Sequence, residues 1–426
     1  MKSKLKFARP LALAAAVAVV LGACDEQLDG GGACPLLCPP IQVGVKDTTL
    51  FAVDADTAIA GFPSIGTELR LFIASFGDTL QTRGVVRFDS LPITFRHNNS
   101  VIDSNIVFVD TGAVLKLRIV TGDTIGAPTT IEAYDVDLGG ADDTDPTAVR
   151  TAFTPDRLLG SRTIPADSMK DSVRVPIDPD KLLARIQASS PGNRLRIGLR
   201  VTETGSRSVT VLTANSGAPP MLVFRPSADT TVPLTTLLPR STTPAESFIA
   251  LDLGDYLVVA QTSPDPPPDA IRVGGIPARR AYFHFTIPPS IIDSSNIVRA
   301  TLFLTQRPSG FSPDPTDSLA LQPYALSAGP AVTDLAKALL FLVAPAGTDS
   351  FRLAAADSGV RVIEMIRIMK LWSVTSAEKT PRALVLRSLL EGTSGKQIDF
   401  FSTEAPIDVR PKLRITYVPR QAGGFP

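Results

Sequence analysis

Residues 85–92 read Val85-Val86-Arg87-Phe88-Asp89-Ser90-Leu91-Pro92, and residues 282–288 read Tyr282-Phe283-His284-Phe285-Thr286-Ile287-Pro288. In both stretches a short run of strand-forming residues ends at a proline, and the two align with one gap. Four further blocks match in the same order: 101–105 with 291–296, 173–175 with 360–362, 197–200 with 384–387, and 220–224 with 411–415. The offset is 197 residues from Phe88 to Phe285 and 187 from Val173 to Val360. A long and nearly constant period of this kind predicts two copies of one domain.

The repeat also predicts how the chain is organised. Each copy has about 180 residues, which is enough to bury a core of its own. The predicted parts are a signal peptide at 1–23, a flexible tether at 24–45, a first domain at 46–227, a linker at 228–244, a second domain at 245–419 and a tail at 420–426.

Composition and patterning place both copies in the all-β class. Proline accounts for 37 of the 426 residues, and a mainly helical fold is excluded because each proline removes a backbone donor. Short β-branched runs bounded by Asp, Gly, Pro, Ser and Thr are typical of a sandwich or barrel. Residues 360–372 carry a polar side chain at every third position, which predicts a strand passing into a short helix, and residues 332–343 predict a second short helix.

The N-terminal segment has the features of a lipoprotein signal. A basic region is followed by the apolar run 11–20, which is too short to span a bilayer as a helix. The run ends in Leu21-Gly22-Ala23-Cys24, which resembles the lipobox of bacterial lipoproteins, where cleavage precedes the cysteine and the cysteine carries the lipid. The sequence therefore predicts a lipid on Cys24, with a plain secretory peptide or an uncleaved anchor as the alternatives.

Charge and hydropathy limit the partners of the chain. The full sequence has no net charge, and removing residues 1–23 leaves 38 basic against 42 acidic side chains, so no nucleic-acid partner is expected. No later stretch reaches the ~18 apolar residues of a spanning helix, so the membrane is expected to hold the mature chain through its lipid alone. The expected location is the cell envelope, at the outer membrane or cell surface rather than the inner membrane. Asp25 resembles the residue that retains lipoproteins at the inner membrane in some enteric bacteria, but that sorting rule does not hold in every phylum, so the inner membrane stays the alternative.

The remaining two cysteines form a local pair, Cys34 and Cys38, within the predicted tether. Outside the cytoplasm such a pair can oxidise to a disulfide, and free thiols are the alternative. A metal site is disfavoured, because two cysteines supply only half of a four-ligand set and no histidine lies nearby.

The second copy resembles the DNRLRE domain, also called the disaggregatase-related domain. Residues 271–275 and 280–285 resemble its "LRVG … RALLRFD" opening, and the segments that resemble its "W … GLLLRS … FYSSEA … PRLVVTY" close are Trp372, 383–387, 398–405 and 411–417. The first copy keeps Arg87-Phe88-Asp89 but has residues 212–215 in place of the Ser-Glu-Ala element. Its resemblance to the family is therefore inferred mainly from its similarity to the second copy.

This resemblance implies two tandem β-sandwich domains of jelly-roll type. The family occurs in secreted and surface-attached bacterial and archaeal proteins, and some relatives bind acidic polysaccharides. The expected function is that of a lipid-anchored, non-enzymatic envelope protein that acts in adhesion, polysaccharide binding or assembly with other envelope proteins. The alternative is a polysaccharide-cleaving envelope enzyme, a lyase or a glycosidase.

Catalytic residues and cofactors are not predicted. The only two histidines, His97 and His284, lie at unmatched positions of the repeat, which leaves little material for a hydrolase triad. Neither a Gly-x-Ser-x-Gly elbow nor a His-Glu-x-x-His zinc motif occurs.

Two binding sites are nevertheless candidates. A glycan-binding face needs aromatic platforms beside hydrogen-bonding or cationic groups, and the second copy could supply Tyr256, Arg272, Arg279, Arg280, Tyr282 and His284. The densest acidic cluster, in a glycine-containing loop, could hold Ca²⁺ or be simply solvated, and consists of Asp135, Asp137, Asp142, Asp143 and Asp145.

Overall fold

The computed structural model describes residues 44–420 with short gaps, and Val45–Pro426 forms one compact unit. The residues left out between these limits are 52, 63–64, 93–94, 98–99, 104–111, 121–127, 140–144, 166–170, 188–193, 203–204, 227–229, 317, 327–348 and 375–381. The second predicted helix, at 332–343, lies outside the described residues.

Strands dominate the described chain, which confirms the all-β prediction. In chain order they are β1 Lys46–Leu50, β2 Val53–Gly61, β3 Arg70–Ser75, β4 Gln81–Phe88, β5 Phe95–His97, β6 Ser100–Asp103, β7 Ala113–Arg118, β8 Thr129–Asp135, β9 Leu158–Ile164, β10 Ser172–Ile177, β11 Leu195–Val201, β12 Arg207–Leu212, β13 Met221–Phe224, β14 Thr235–Leu237, β15 Asp255–Gln261, β16 Ala270–Gly274, β17 Ala278–Phe285, β18 Ser295–Arg307, β19 Ser318–Leu326, β20 Phe351–Ala354, β21 Gly359–Glu364, β22 Ala383–Ser388, β23 Gln397–Phe401 and β24 Lys412–Pro419.

The helices are few and short. They are α1 Pro146–Thr151, α2 Pro179–Gln187, α3 Pro244–Ile249, α4 Pro289–Ile292 and α5 Ile366–Val374. The predicted passage from strand to helix at 360–372 is confirmed, since β21 ends two residues before α5 begins. Among the described residues, no helix combines the length and the apolar character needed to cross a membrane.

The strands between residues 70 and 261, apart from the separate β5–β6 ribbon, build what we call the first sandwich. A seven-stranded antiparallel sheet has the order β12-β3-β4-β11-β8-β9 with β15 beside β4, and a four-stranded sheet has the order β10-β7-β13-β14. Side chains from both sheets share one core, in which Phe88 of β4 and Leu115 of β7 are fully buried. This packing of two sheets over one core is the sandwich that the short alternating strands predict.

The second sandwich consists of β1, β2 and β16–β24. Its eleven strands form one antiparallel sheet in the order β1-β24-β18-β23-β16-β17-β22-β19-β20, with β2 beside β17 and β21 beside β18. The core combines Phe283 and Leu384 from one end of this order with Leu302 and Leu413 from the other end. The sheet therefore folds over itself into two layers.

Strand pairing repeats from one sandwich to the other. In the first, β3 pairs with β12, β4 with β11, β11 with β8, and β7 with β13. In the second, the corresponding pairs are β16 with β23, β17 with β22, β22 with β19, and β18 with β24. Four of the five recurring sequence blocks thus lie on strands that have the same neighbours. The exception is 101–105, whose described residues lie on the separate β5–β6 ribbon, whereas 291–296 span α4 and the start of β18.

The sandwiches do not follow the predicted chain boundaries. Strands β1 and β2 fall within the predicted first domain, 46–227, but pair with β24 and β17 of the second sandwich. Conversely, β15 falls within the predicted second domain, 245–419, but pairs with β4 of the first sandwich. Sequence similarity shows which segments are related, whereas backbone hydrogen bonds define the sheets. The chain crosses from one sandwich to the other after β2 and again after β15.

One matched block differs between the sandwiches by a single residue of register. Val175 is buried on β10 opposite Leu115, and the equivalent place on β21, opposite Leu302, belongs to Ile363. Val362, which the sequence match pairs with Val175, is 60% exposed. Because side chains alternate between the faces of a strand, this one-residue shift turns the second Val-Arg-Val block outward.

Gly254 allows the close approach that places β15 on the first sandwich. A Cβ at this position would lie 2.0 Å from the carbonyl oxygen of Arg240. We expect Gly254→Ala to lower the free energy of unfolding by about 1–3 kcal/mol, because the backbone must move to relieve the clash. Gly217→Ala is the matched control, since its Cβ would meet open space. Equal denaturant midpoints for the two variants would contradict this account.

Candidate functional site

Four of the six predicted glycan-binding residues lie in the interior. Arg280 is 0% exposed and Arg272 2%. Arg272 donates from Nε to Asp399 Oδ1 at 2.7 Å, and Arg280 from Nε to Glu391 Oε1 at 2.6 Å. Tyr256 and Tyr282 are also buried, the former in a cluster on the outer side of β4 and the latter beside Leu326 and Val385.

These positions correct the expectation of a shallow glycan-binding face. A charged side chain is buried when a partner offsets its desolvation, and here each arginine has a carboxylate partner on the face of the sheet that points away from the core. Arg279 and His284 are the two predicted residues with partial exposure, and Arg279 forms an ion pair with the exposed Asp265.

The predicted calcium residues are engaged by arginines and by backbone. Asp137 Oδ2 lies 2.8 Å from Arg185 Nη2 and 3.2 Å from Arg194 Nε. Asp135 Oδ2 lies 3.8 Å from Arg157 Nη2. Burial alone would raise the pKa of Asp137, but the Gly139 N–H and the two arginines lower it. In contrast, burial raises the pKa of Asp135.

Asp145 instead caps α1 by accepting a hydrogen bond from the Thr147 N–H at 2.9 Å. Asp142 and Asp143 lie outside the described residues. Within the described part of the chain, no group of three or more acidic, histidine or cysteine side chains could hold a metal ion. The arrangement of Asp135, Asp137 and Asp145 therefore fits an ion-pair network and a helix cap better than a calcium loop.

The cysteine predictions fall where the structure gives no description. Cys24, Cys34 and Cys38 all precede residue 44. Lipidation and the local disulfide therefore stay predictions. Of the histidines, His284 is half-buried on β17, while His97 belongs to β5.

A buried carboxylate pair is the first candidate site that sequence reasoning missed. Asp255, the first residue of β15, is 0% exposed, and Glu68, just before β3, is 8% exposed. The two charges repel each other. Among the described residues, neither Glu68 Oε2 nor Asp255 Oδ1 has a hydrogen-bond partner. The other oxygen of Asp255, Oδ2, accepts the Ala214 N–H at 2.6 Å.

Both carboxyl groups of this pair titrate far above their ordinary range. Burial raises the pKa of Glu68 from 4.5 to about 7. Burial and then the nearby Glu68 charge raise the pKa of Asp255 from 3.8 to about 8, against the Ala214 hydrogen bond that lowers it. Desolvation destabilises the ionised form, and no cation within the described chain is placed to offset it here. Groups with such shifted pKa values are functional candidates, although structural carboxylates show them too.

The second candidate is an exposed apolar surface on the segment that joins β13 to β15. Five large apolar side chains of this segment, of fourteen that are exposed in the described chain, point into solvent: Leu234, Leu238, Phe248, Ile249 and Leu251. We call them the apolar connector. Single exposed apolar residues are ordinary, whereas five within eighteen residues of sequence make this segment a candidate for contact with a partner.

The connector is held rigidly despite its exposure. α3 begins with a capping box, in which Thr243 and Glu246 exchange side-chain and backbone hydrogen bonds. Arg240, which follows β14, forms an ion pair with Glu246 of the helix, and its Nη1 lies 2.7 Å from Asp252 Oδ2. Asp252 also pairs with Arg87 at the end of β4. Phe248 and Ile249 are therefore presented on a fixed helix.

A local sequence signal existed for the connector but not for the carboxylate pair. Thr243-Pro244-Ala245-Glu246 has the spacing of a capping box followed by an apolar run, which predicts a helix start inside the segment taken as a linker. Glu68 and Asp255 are 187 residues apart, and nothing in their local sequence indicates that they meet.

Comparisons with known proteins do not assign this chain to a family. No family model matches it, and no curated protein matches it. Among solved structures, a Macrobrachium rosenbergii nodavirus chain aligns over 91% of this chain and 97% of its own, with 10% identity and a TM-score of 0.14. A chain of the infectious bursal disease virus VP2 subviral particle aligns over 90% and 79%, with 9% identity and a TM-score of 0.10. TM-scores this low carry no argument about fold or function.

Proposed function

We propose that this protein is a lipid-anchored, non-enzymatic component of the bacterial cell envelope whose β-sandwiches bind other envelope proteins. Cys24 carries the lipid in this proposal, and the residues up to 45 act as the tether. The proposal keeps the DNRLRE resemblance of the second repeat as its basis for an extracellular setting. The observation that carries it is the apolar connector.

The connector favours protein contact over the other surface roles. Phe248 and Ile249 are 58% and 61% exposed on a helix whose position is set by ion pairs. Burying such side chains against a partner stabilises a complex by roughly 25 cal/mol for each Å² removed from water. By contrast, polysaccharide binding has less support, because Arg272, Arg280, Tyr256 and Tyr282 are buried.

We expect the double variant F248S/I249S to lose at least tenfold of the cross-linked complexes that the intact protein forms with other proteins in envelope membranes. The physical reason is the loss of apolar contact area at a preformed surface. The measurement is chemical cross-linking of isolated envelopes followed by immunoblotting for this protein. V360S/V362S is the matched control, because it removes two equally exposed apolar side chains from β21. Equal cross-linking by both variants would argue against the connector.

A polysaccharide-cleaving enzyme is the second candidate, and the carboxylate pair is the observation that favours it. Glycoside hydrolysis uses two carboxyl groups, of which the general acid has a raised pKa, and the pKa values of Glu68 and Asp255 are both raised, so either one could serve as the acid. Incubation with acidic polysaccharides tests this reading by the release of reducing ends. Release by the intact protein that Glu68→Gln abolishes would support an enzyme, and binding without release would support the non-enzymatic role.

A further inference from the structure

Strands β2 and β15 occupy the same place in the two repeats. Asp255 of β15 lies opposite Val86 of β4, and Asp56 of β2 lies opposite Phe283 of β17. Val86 and Phe283 occupy equivalent positions of the two repeats, because they are 197 residues apart, as Phe88 and Phe285 are. β2 and β15 are therefore equivalent strands, yet each one lies on the sandwich that the other repeat builds.

The aspartates of these strands complete equivalent turns in the opposite sandwich. Asp255 Oδ2 accepts the Ala214 N–H at 2.6 Å in the turn that follows β12. Asp56 Oδ2 accepts the Thr403 N–H at 2.9 Å in the turn that follows β23, and its Oδ1 accepts the Thr403 hydroxyl at 3.1 Å. Each of the two strands thus provides a carboxylate that caps a turn of the opposite sandwich, Asp255 fully buried and Asp56 partly buried.

The strands that precede β2 and β15 in the chain, β1 and β14, lie on the same sandwiches as β2 and β15 respectively. β1 pairs with β24, with Leu50 opposite Leu413, and β14 pairs with β13, with Leu237 opposite Leu222. The two strands of each pair therefore lie on the same sandwich, although β14 belongs to the segment predicted as the linker. The first pair, β1–β2, completes the second sandwich, and the pair β14–β15 completes the first.

Two crossing segments of the same length make this exchange. Eight residues, 62–69, lead from β2 to β3, and eight, 262–269, lead from β15 to β16. The second segment contains Pro264, Pro266, Pro267 and Pro268. Proline fixes φ and lacks an N–H donor, so the conformations of this segment are restricted. It ends in a turn in which the Ala270 N–H donates to the Pro267 carbonyl at 2.9 Å.

We propose that two copies of this protein associate by exchanging their β1–β2 pairs, each copy placing the pair on β17 and β24 of the other. In the single chain, β17 and β24 of the second repeat pair with β2 and β1 of the first repeat, so β1–β2 of a second copy can make the same contacts in the same register. Only the crossing 62–69 ties β1–β2 to the rest of the sandwiches, whereas β14–β15 is tied at both ends. Exchange of identical elements is a low-cost route to a dimer. The inference deepens the proposed assembly role by naming a second copy as one partner.

Isotope-mixed refolding tests the exchange with the full chain. Equal amounts of unlabelled and ¹⁵N-labelled protein are refolded together from denaturant, separated into monomer and dimer by size, and treated with an amine-reactive cross-linker. Lys46 lies opposite Tyr417 on β24, five residues from Lys412, so the two lysines are about 17 Å apart along the strand. We expect about half of the Lys46–Lys412 links in the dimer to join one unlabelled and one labelled chain, and none in the monomer.

A hinge variant gives a second measurement. Deleting Pro63 and Ser64 shortens the segment 62–69, so β1–β2 can no longer easily reach β17 and β24 of the same copy. We therefore expect the dimer fraction to rise at least fivefold. A two-residue deletion of Ser227 and Ala228, in the connection after β13, is the control and should leave the fraction unchanged. Dimers with only same-isotope links, or a chain that stays monomeric in both experiments, would overturn the exchange. That result would leave the apolar connector intact as a site, because F248S/I249S tests it separately.

Discussion

Arg280→Ala is expected to lower the free energy of unfolding by about 3–5 kcal/mol, the largest effect of any single substitution considered for this chain. The Arg280 guanidinium is 0% exposed and makes two parallel bonds to Glu391, of 2.6 Å from Nε and 2.7 Å from Nη2. Its removal leaves the Glu391 carboxylate, whose side chain is 8% exposed, without its main partner, and Arg387 at 3.7 Å is a weaker substitute. Denaturant unfolding followed by tryptophan fluorescence measures the loss, because Trp372 is buried in the core of that sandwich.

Two further variants separate the buried charge from the loss of a side chain. Arg414→Ala removes an arginine that pairs with Asp47 at the surface, and it should change stability little, since exposed pairs are screened by water. R280M/E391L replaces both charges by apolar groups and should recover most of the loss, because no unpaired charge remains. An Arg280→Ala variant as stable as Arg414→Ala would show that the pair does not have the buried character described above.

The carboxylate pair is expected to make the protein less stable as the pH rises from about 4 to about 8. Burial holds the pKa of Glu68 at about 7 and that of Asp255 at about 8, both above their ordinary values of 4.5 and 3.8. The folded state therefore binds more protons than the unfolded state across this window, so stability is full below it and is lost as the pH passes through the folded pKa values. For Glu68 the loss is on the order of 3 kcal/mol.

Glu68→Gln isolates this contribution, because glutamine has the same shape and carries no charge. The free energy of unfolding of the intact protein minus that of Glu68→Gln should fall between about pH 4 and pH 8, with denaturant curves recorded at each unit of pH. Glu364→Gln, on the solvent side of β21, is the control and should follow the intact protein. A difference that stays flat across the window would contradict a buried, repelling pair.

Much of the fold could be predicted from local sequence. The runs that became β3, β4, β7, β11 and β12 are β-branched and bounded by turn residues, and the pattern at 360–372 marked the passage from β21 to α5. These features depend on residues within ten positions of one another. The candidate sites could not be predicted in the same way, because Arg280 and Glu391, or Glu68 and Asp255, meet only when distant strands pack.

Arg272 and Tyr256 show how the same residue types were misinterpreted. Cations and aromatics in one repeat suit a glycan face when their exposure is unknown, but Arg272 is buried in an ion pair with Asp399 and Tyr256 packs beneath α1. Exposure depends on which sheet covers a strand. Alternation with a period of two shows that a strand has two faces, but it does not show which face contacts a carboxylate partner and which contacts water.

By itself the sequence determined the all-β class, the repeat of about 190 residues and the strand-to-helix passage before Trp372, because alternation, turn residues and self-similarity are properties of neighbouring positions. Tertiary structure alone decided that β2 completes the second sandwich and β15 the first. Equivalent strands of two related repeats carry the same pattern, so either could fill either place. The choice depends on the segments that connect β2 to β3 and β15 to β16, which carry the chain from one sandwich to the other.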